Sequence, residues 1–274
     1  MRRVVAPRYR VERELGRGAM AAVYLAEDLE TGTQVAVKVV RSELTAVLGP
    51  ERFHREIEIL KRLRHPGILP LLDSSDTEGM LYLVMPYVAG ENLRSRLQRE
   101  GQLSIHSTLA LAGDIAAALD YAHREQVVHR DIKPENILIE NERALVCDFG
   151  LARALDRAAL EPISSSGLVL GTPRYMSPEQ AIGQRDLGPS SDIYALACVT
   201  YEMLAGQPPF TGATPQAIIA RQLADPPRSL RPVRPDITPA IEAALFQGLE
   251  KEPGKRPATA GLLLSRLVGA AGGR

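Results

Sequence analysis

Two short stretches hold the side chains whose types and spacing could do chemistry: His129-Arg130-Asp131-Ile132-Lys133-Pro134-Glu135-Asn136 and Asp148-Phe149-Gly150. Together they offer a carboxylate, an ammonium, an amide and a second carboxylate. That set suits a site that activates a hydroxyl, holds a divalent metal and steadies a phosphoryl group. The apolar runs 137–139 and 144–147 flank a polar turn at 140–143, which predicts two short strands joined by a hairpin. Asp131 and Asn136 then precede the first strand, and Asp148 follows the second. Antiparallel pairing brings those two ends together, so residues distant along the chain can converge on one metal.

Whole-chain numbers bound the classes that could carry such a cluster. A length of 274 residues allows one large domain or two lobes sharing a cleft. Hydrophobic content of 45% and charged content of 24% are ordinary for a globular protein with a real core. The formal net charge is zero, unlike the basic field of a nucleic-acid binder, so no nucleic-acid partner is expected. Cys147 and Cys198 form neither a disulfide framework nor a metal-ligand spacing, which suits a reducing compartment. The first seven residues are basic in part but have no apolar stretch, so they do not read as a signal peptide. The most apolar long window, 193–205, is too short for a bilayer and contains Glu202, so no membrane span is expected.

Strands and helices on either side of the cluster are legible in the sequence. Residues 9–15 and 23–27 read as paired strands around Gly16-Arg17-Gly18-Ala19-Met20-Ala21, where glycines let backbone N–H groups approach a phosphate. A strand rather than a helix follows this loop, which argues against a dinucleotide-binding unit. Residues 34–40 form the next strand. Period two puts Ala36 and Lys38 on one face and Val35, Val37 and Val39 on the other. Pro50 opens a helix to residue 64, with Phe53, Ile57, Leu60 and Leu63 at helical spacing and Glu56 beside that apolar face. Residues 68–72 and 81–85 are expected to complete a small sheet. Pro86, unable to donate to a ladder, marks the boundary between units 1–85 and 86–274. Beyond it the pattern is mainly helical: 93–99, 104–126 with Leu111, Ile115, Leu119 and Ala122 in a stripe, a buried helix at 190–205 capped by Gly206, and helices at 238–249 and 258–268. The glycine-rich last six residues read as frayed or as the start of a linker.

Taken in order, Gly16/Gly18, Val35-Ala36-Val37-Lys38, His129 to Asn136, Asp148-Phe149-Gly150 and Ser177-Pro178-Glu179 resemble the eukaryotic-type bacterial serine/threonine protein kinases. The resemblance covers residues 9 to about 268. It implies an α+β, two-lobed protein-kinase fold: a small N-lobe with an antiparallel sheet and one helix, and a larger, mainly helical C-lobe. It also implies ATP with Mg²⁺, or Mn²⁺ in its place, as cofactors, and protein substrates with serine or threonine acceptors. By the same resemblance Leu15 belongs to the nucleotide site, Gly16 and Gly18 to the loop covering the ATP phosphates, and Lys38 contacts the α- and β-phosphates and pairs with Glu56. Asp131 accepts the hydroxyl proton, Lys133 steadies the transferred phosphoryl group, and Asn136 with Asp148 holds the metal. Val23 and Ala36 lie over the adenine and Leu138 under it, Met85 is the gatekeeper, and Pro86 and Val88 meet the base edge through their backbone. Leu60, Leu71, His129 and Phe149 resemble the family's apolar spine. Glu179 is expected to pair with Arg256, and Asp192 to brace the catalytic-loop backbone.

Regulation is read from the same resemblance. Arg130 corresponds to an arginine that reads phosphate on the activation segment, where Ser166, and less favourably Ser164, stand at positions of autophosphorylation. Arg52 and Arg153 would complete that basic pocket. Transient self-association would accompany autophosphorylation. Glu135 and Glu91 are offered as selectors of a basic residue upstream of the acceptor. Location is expected to be cytoplasmic, as a whole enzyme or as the cytoplasmic domain of a longer membrane-anchored protein. Three positions depart from the family pattern: Ala21 replaces a glycine, Ser177 an alanine, and Tyr194 a tryptophan.

Overall fold

The computed structural model describes residues 4–5, 7–18, 21–41, 57–77, 80–149 and 173–272. The described chain divides into two compact units, one ending at Ala89 and one starting at Gly90.

The first unit is a six-stranded antiparallel sheet. In chain order its strands are β1 (Val4–Val5), β2 (Tyr9–Arg17), β3 (Ala21–Asp28), β4 (Gln34–Val40), β5 (Asp73–Thr77) and β6 (Met80–Pro86), and in space they run β1-β2-β3-β4-β6-β5. Alternation in β4 and β6 sorts the side chains onto two faces. Val35, Val37, Tyr82 and Val84 pack with Tyr9 and Ala26 on one face, and Val39 leans on that cluster. Val40, Leu81, Leu83 and Met85 pack with Ile57 and Leu71 on the other, where Leu60 and Leu69 join them. Each fully buried aliphatic side chain contributes roughly 1.5–3 kcal/mol, so the two layers hold the sheet from both sides. β6 ends at Pro86, opposite Val35, as a residue without an N–H requires.

One expected strand is misplaced. Residues 68–72 are not a strand; β5 is the polar stretch Asp73–Thr77 that follows them. Ile68 and Leu71 are buried in irregular backbone instead, and β5 is held at the sheet edge by its register against β6. Edge placement lets a polar sequence be a strand, because only one side needs a ladder and the side chains stay half-exposed. The helix expected from residue 50 to 64 is described only from 57 on, with helical backbone at 57–60. Its earlier part, including Phe53 and Glu56, lies outside the described residues.

The second unit opens with a short strand, β7 (Glu91–Asn92), and α1 (Leu93–Glu100), whose N-cap Asn92 accepts the Ser95 N–H. α2 (Ile105–Arg124) follows, with Ser104 as N-cap and Leu111, Ile115, Leu119 and Ala122 buried as its sequence stripe predicts. β8 (Ile137–Glu140) and β9 (Arg143–Val146) form the expected hairpin, and β7 adds a third strand. Asn141 and Glu142, both with left-handed backbone, make its two-residue turn. α3 (Pro178–Ala181), α4 (Pro189–Ala205), α5 (Pro215–Ala224), α6 (Pro239–Gly248) and α7 (Ala260–Gly272) complete the unit.

α4 is buried from Ser191 to Leu204 and ends on Gly206, whose φ of +76° fits the expected glycine cap. α5 has no counterpart in the sequence expectations, although Thr214 and Pro215 supply its N-cap and first turn. α7 runs to Gly272, so the stretch expected to fray is helical up to that residue. Asp120 of α2 fixes the start of α7, its two oxygens accepting the Ala260 and Gly261 N–H groups at 2.9 Å each. Among the described residues, no helix is long and apolar enough to cross a membrane.

Candidate active site

In the second unit the cluster forms around the loop before β8. Lys133 Nζ donates to Asp131 Oδ2 at 2.6 Å. Asn136 Nδ2 donates to the Asp131 carbonyl at 2.8 Å and to Asp131 Oδ2 at 3.1 Å. A 3₁₀ turn, Pro134–Asn136, brings Asn136 back toward Asp131. The Cys147 N–H donates to the Asn136 carbonyl at 3.0 Å, which ties the start of β8 to the end of β9. The expected convergence therefore arises from the hairpin: Asn136 and Asp148 stand at its two open ends. Asp131 keeps a side chain 45% exposed, whereas Asn136 is buried.

The loop backbone is anchored from below by Asp192, a fully buried residue in the first turn of α4. Its Oδ2 accepts the His129 N–H and its Oδ1 the Arg130 N–H, both at 2.8 Å. His123, near the end of α2, lies 2.7 Å from Asp192 Oδ2 through Nε2. The sequence reading missed His123, and nothing in its local pattern separates it from a surface histidine.

His129 is buried as well. Its Nδ1 accepts the Asp131 N–H at 3.2 Å, so the ring proton sits on Nε2 and is donated to the Cys147 carbonyl at 2.9 Å. One imidazole thus spans the loop and the residue before Asp148. Phe149 packs edge-on against it, with ring centroids 4.5 Å apart. These are the two spine residues expected in this unit.

Around the loop, Glu179 and Arg256 form the expected buried pair, at 2.7 and 2.8 Å through two nitrogens and two oxygens. Ser191 Oγ donates to the same carboxylate at 2.7 Å. Burial works against this charge, but the bonds from Arg256 and Ser191 outweigh it and hold the Glu179 carboxyl below the usual range. Tyr194, at the departure from tryptophan, lies under the Arg256 guanidinium, 4.9 Å from ring centre to carbon. Ser177, where alanine is common, is the N-cap of α3 and forms a capping box with Gln180. Gln180 Nε2 also donates to the Arg130 carbonyl at 2.8 Å, a second link to the loop absent from the sequence reading. Glu135 and Glu91, offered as selectors of basic residues, are engaged by Arg94 and Arg99 of α1.

In the first unit, register decides which residues share a face. Ala36 is opposite Leu25 on β3 and Met85 on β6; Lys38 is opposite Val23 and Leu83. Directly opposed residues lie on the same face, so Val23, Ala36, Lys38 and Met85 line one side of the sheet. Leu15 is the extra residue of a bulge between the pairs Glu14–Tyr24 and Gly16–Val23, and it is exposed. The Gly18 N–H donates to the Ala21 carbonyl at 2.9 Å at the base of the glycine loop. Pro86 and Val88 are half-buried at the end of β6 and just beyond. Leu138, in the second unit, pairs with Leu145 on the face of the hairpin opposite buried Ile137 and Ile139.

Among the described residues no group of three or more His, Cys, Asp or Glu side chains is poised for a metal. Asn136 and Asp148 nevertheless suit a hard cation, because the amide nitrogen is committed to Asp131 and its oxygen is left as the ligand-type atom. Glu56, Gly150, Ser164, Ser166, Arg52 and Arg153 lie outside the described residues.

Residues 9–267 match the family model described as Protein kinase domain. The chain is 36% identical over 272 residues to serine/threonine-protein kinase PknB of Mycolicibacterium smegmatis, covering 96% of this chain and 43% of that protein. It is 37% identical over 276 residues to serine/threonine-protein kinase PknA of Mycobacterium tuberculosis, covering 97% and 62%. This chain thus spans less than two-thirds of the length of these curated relatives. Among solved structures, the Mycobacterium tuberculosis PknI kinase domain superposes with a TM-score of 0.77 at 29% identity, covering 98% of each chain. Family model, relatives and fold point the same way, and the chain belongs to the protein kinase family, alongside the bacterial serine/threonine-protein kinases.

Proposed function

We propose that this chain transfers the terminal phosphoryl group of ATP to serine and threonine hydroxyls of proteins, in signalling. The observation that carries the reading is the joint hold of Lys133 and Asn136 on one oxygen of Asp131. Two donors on Oδ2 fix the carboxylate's orientation and leave Oδ1 to accept a hydroxyl. Asp131 then holds the acceptor in line and takes its proton as the new P–O bond forms, while Lys133 stabilises charge on the transferred group. Mg²⁺ or Mn²⁺, when bound by Asn136 and Asp148, neutralises charge on the phosphates.

Glycine at position 16 supports the same reading. A Cβ there would meet no atom of the described residues within 4 Å beyond its own chain neighbours, so their packing does not demand glycine, whereas a closely approaching phosphate does. Leu15 is assigned to the nucleotide site and Gly16 and Gly18 to the loop covering the phosphates, with Lys38, paired with Glu56, on the α- and β-phosphates. Val23, Ala36, Met85, Pro86 and Val88 are assigned to the base, and so is Leu138 of the second unit. Phosphorylation of Ser166 or Ser164, read by Arg130, is assigned to regulation through transient self-association. Cys147 and Cys198, neither in a disulfide, suit action in the cytoplasm.

The test is transfer from γ-labelled ATP to a degenerate peptide library by the wild type, Lys38→Met and Asp131→Asn. Label on serine and threonine with the wild type, and its loss in both variants, is expected. Label on metabolites but never on peptides, or unchanged transfer by Lys38→Met, would overturn the reading.

A further inference from the structure

We propose that Arg94 is a specificity-determining residue: it fills the acidic cluster beside the catalytic loop from inside the chain, so the enzyme gains nothing from a basic side chain flanking the acceptor. The inference rests on the kinase reading above. Arg94, on α1, donates through Nε to Glu135 Oε1 at 2.9 Å and through Nη1 to Glu202 Oε1 at 2.8 Å. Its Nη2 donates to the Tyr175 hydroxyl, which donates in turn to Glu202 Oε2. Glu135 directly precedes Asn136 and is the carboxylate nearest the reactive pair along the chain. Glu202 is 3% exposed at the floor of the cluster, Arg94 19%, and Glu135 43% at its rim.

The guanidinium itself displays what the cluster recognises. A planar fork reaches two carboxylates and a phenol at once, a pattern that an arginine satisfies and a lysine does not. Two negative charges face one positive charge, so the cluster is cation-selective but already occupied. Glu91, the other acid that a basic substrate could seek, is engaged by Arg99, and Glu100 and Glu142 by Arg96. Three arginines of one eight-residue helix thus pair with Glu135, Glu202, Glu91, Glu100 and Glu142. A peptide arginine reaches the buried Glu202 only by displacing Arg94, one guanidinium exchanged for another, so the site gains nothing from it.

A positional-scanning serine/threonine peptide library, phosphorylated by the wild type, Arg94→Gln and Arg94→Gln/Glu135→Gln, tests the assignment. The wild type is expected to discriminate arginine from alanine by less than about twofold at every flanking position. Arg94→Gln should gain about tenfold or more for arginine at one position, the scale of a charge-assisted hydrogen-bonded pair, and the double variant should lose it. As a check independent of turnover, millimolar ethylguanidinium should raise the melting temperature of Arg94→Gln and not that of the wild type. A wild type that already selects arginine tenfold, an active Arg94→Gln with unchanged preference, or a melt of that variant insensitive to ethylguanidinium each overturns the proposal. Transfer by the wild type to no peptide at all would defeat the kinase reading, and this inference with it. Transfer with unchanged preference defeats this inference alone.

Discussion

Asp192 Oδ1 accepts the backbone N–H of Arg130 at 2.8 Å, at a residue held with φ of +70°. A left-handed arginine costs about 1–2 kcal/mol, and a hydrogen bond to a buried carboxylate contributes about 1.5–3 kcal/mol. The brace therefore suffices to hold the strained turn that presents Asp131. Arg130→Gly and Arg130→Ala both remove the side chain, but only glycine adopts this backbone freely. Chemical denaturation should find Arg130→Gly more stable than Arg130→Ala by about 1 kcal/mol. Equal stability of the two would show that the turn is not strained.

The Glu179–Arg256 pair should behave as a buried ion pair whose halves cannot be separated. Arg256→Met leaves a buried carboxylate beside Ser191 and should cost about 3–5 kcal/mol in urea unfolding. Removing both charges, in Glu179→Met/Arg256→Met, should recover most of that loss. Because the folded Glu179 carboxyl lies below its ordinary value of 4.5, its contribution is complete above that value and disappears as pH falls through the folded one. Wild type and double variant should therefore converge in stability toward strongly acid pH.

Asp131→Asn preserves the bond from Asn136 to the backbone carbonyl while removing the base. Turnover should fall by about 10²–10⁴-fold, the usual contribution of a positioned proton acceptor, with KM for ATP nearly unchanged. Initial rates at saturating and limiting ATP separate the two effects. A comparable rise in KM would instead assign Asp131 to nucleotide binding.

Lys251 provides a pH test inside the helical unit. Its Nζ lies 4.0 Å from the centre of the Phe210 ring and donates to the Gln222 carbonyl at 2.6 Å, and burial pushes its pKa down to about 8. The unfolded chain retains this proton up to the ordinary value of 10.5, so between about pH 8 and 10.5 it binds more protons than the folded one. Stability from this group therefore rises with pH across that window. Burial pushes the Cys198 thiol up, which acts in the opposite sense above its ordinary value of 9.0, so the informative quantity is a difference. Wild type minus Lys251→Met, followed by urea midpoints, should climb from pH 8 to 10.

Local pattern made the α2 stripe, the buried α4 and the β8–β9 hairpin legible, because each residue's fate there depends on neighbours two to four positions away. β5 was not legible. Asp-Ser-Ser-Asp-Thr has the composition of a turn, and only the presence of β6 beside it makes it a strand. α5 was legible in principle through Thr214-Pro215 but has only a short apolar face, with Ile218 and Gln222 buried. At the site, the types at Asp131, Lys133, Asn136 and Asp148 advertise their chemistry, whereas their supports do not. Arg94, Glu135, Tyr175 and Glu202 meet across more than a hundred residues of chain, and His123 reaches Asp192 across 69. Such pairings are properties of packing, which one sequence does not encode in any short window.

The distance along the chain between Glu179 and Arg256 also fixes an order of events. Glu179 is 77 residues ahead of its only guanidinium partner among the described residues, and that partner is fully enclosed. On the ribosome, the stretch from Asp131 to Asp148 emerges long before Arg256 does. Until then Glu179 has no guanidinium to pair with, and the packing around that carboxylate is incomplete. Translation therefore makes this buried pair available only when nearly all of the described chain has been synthesised.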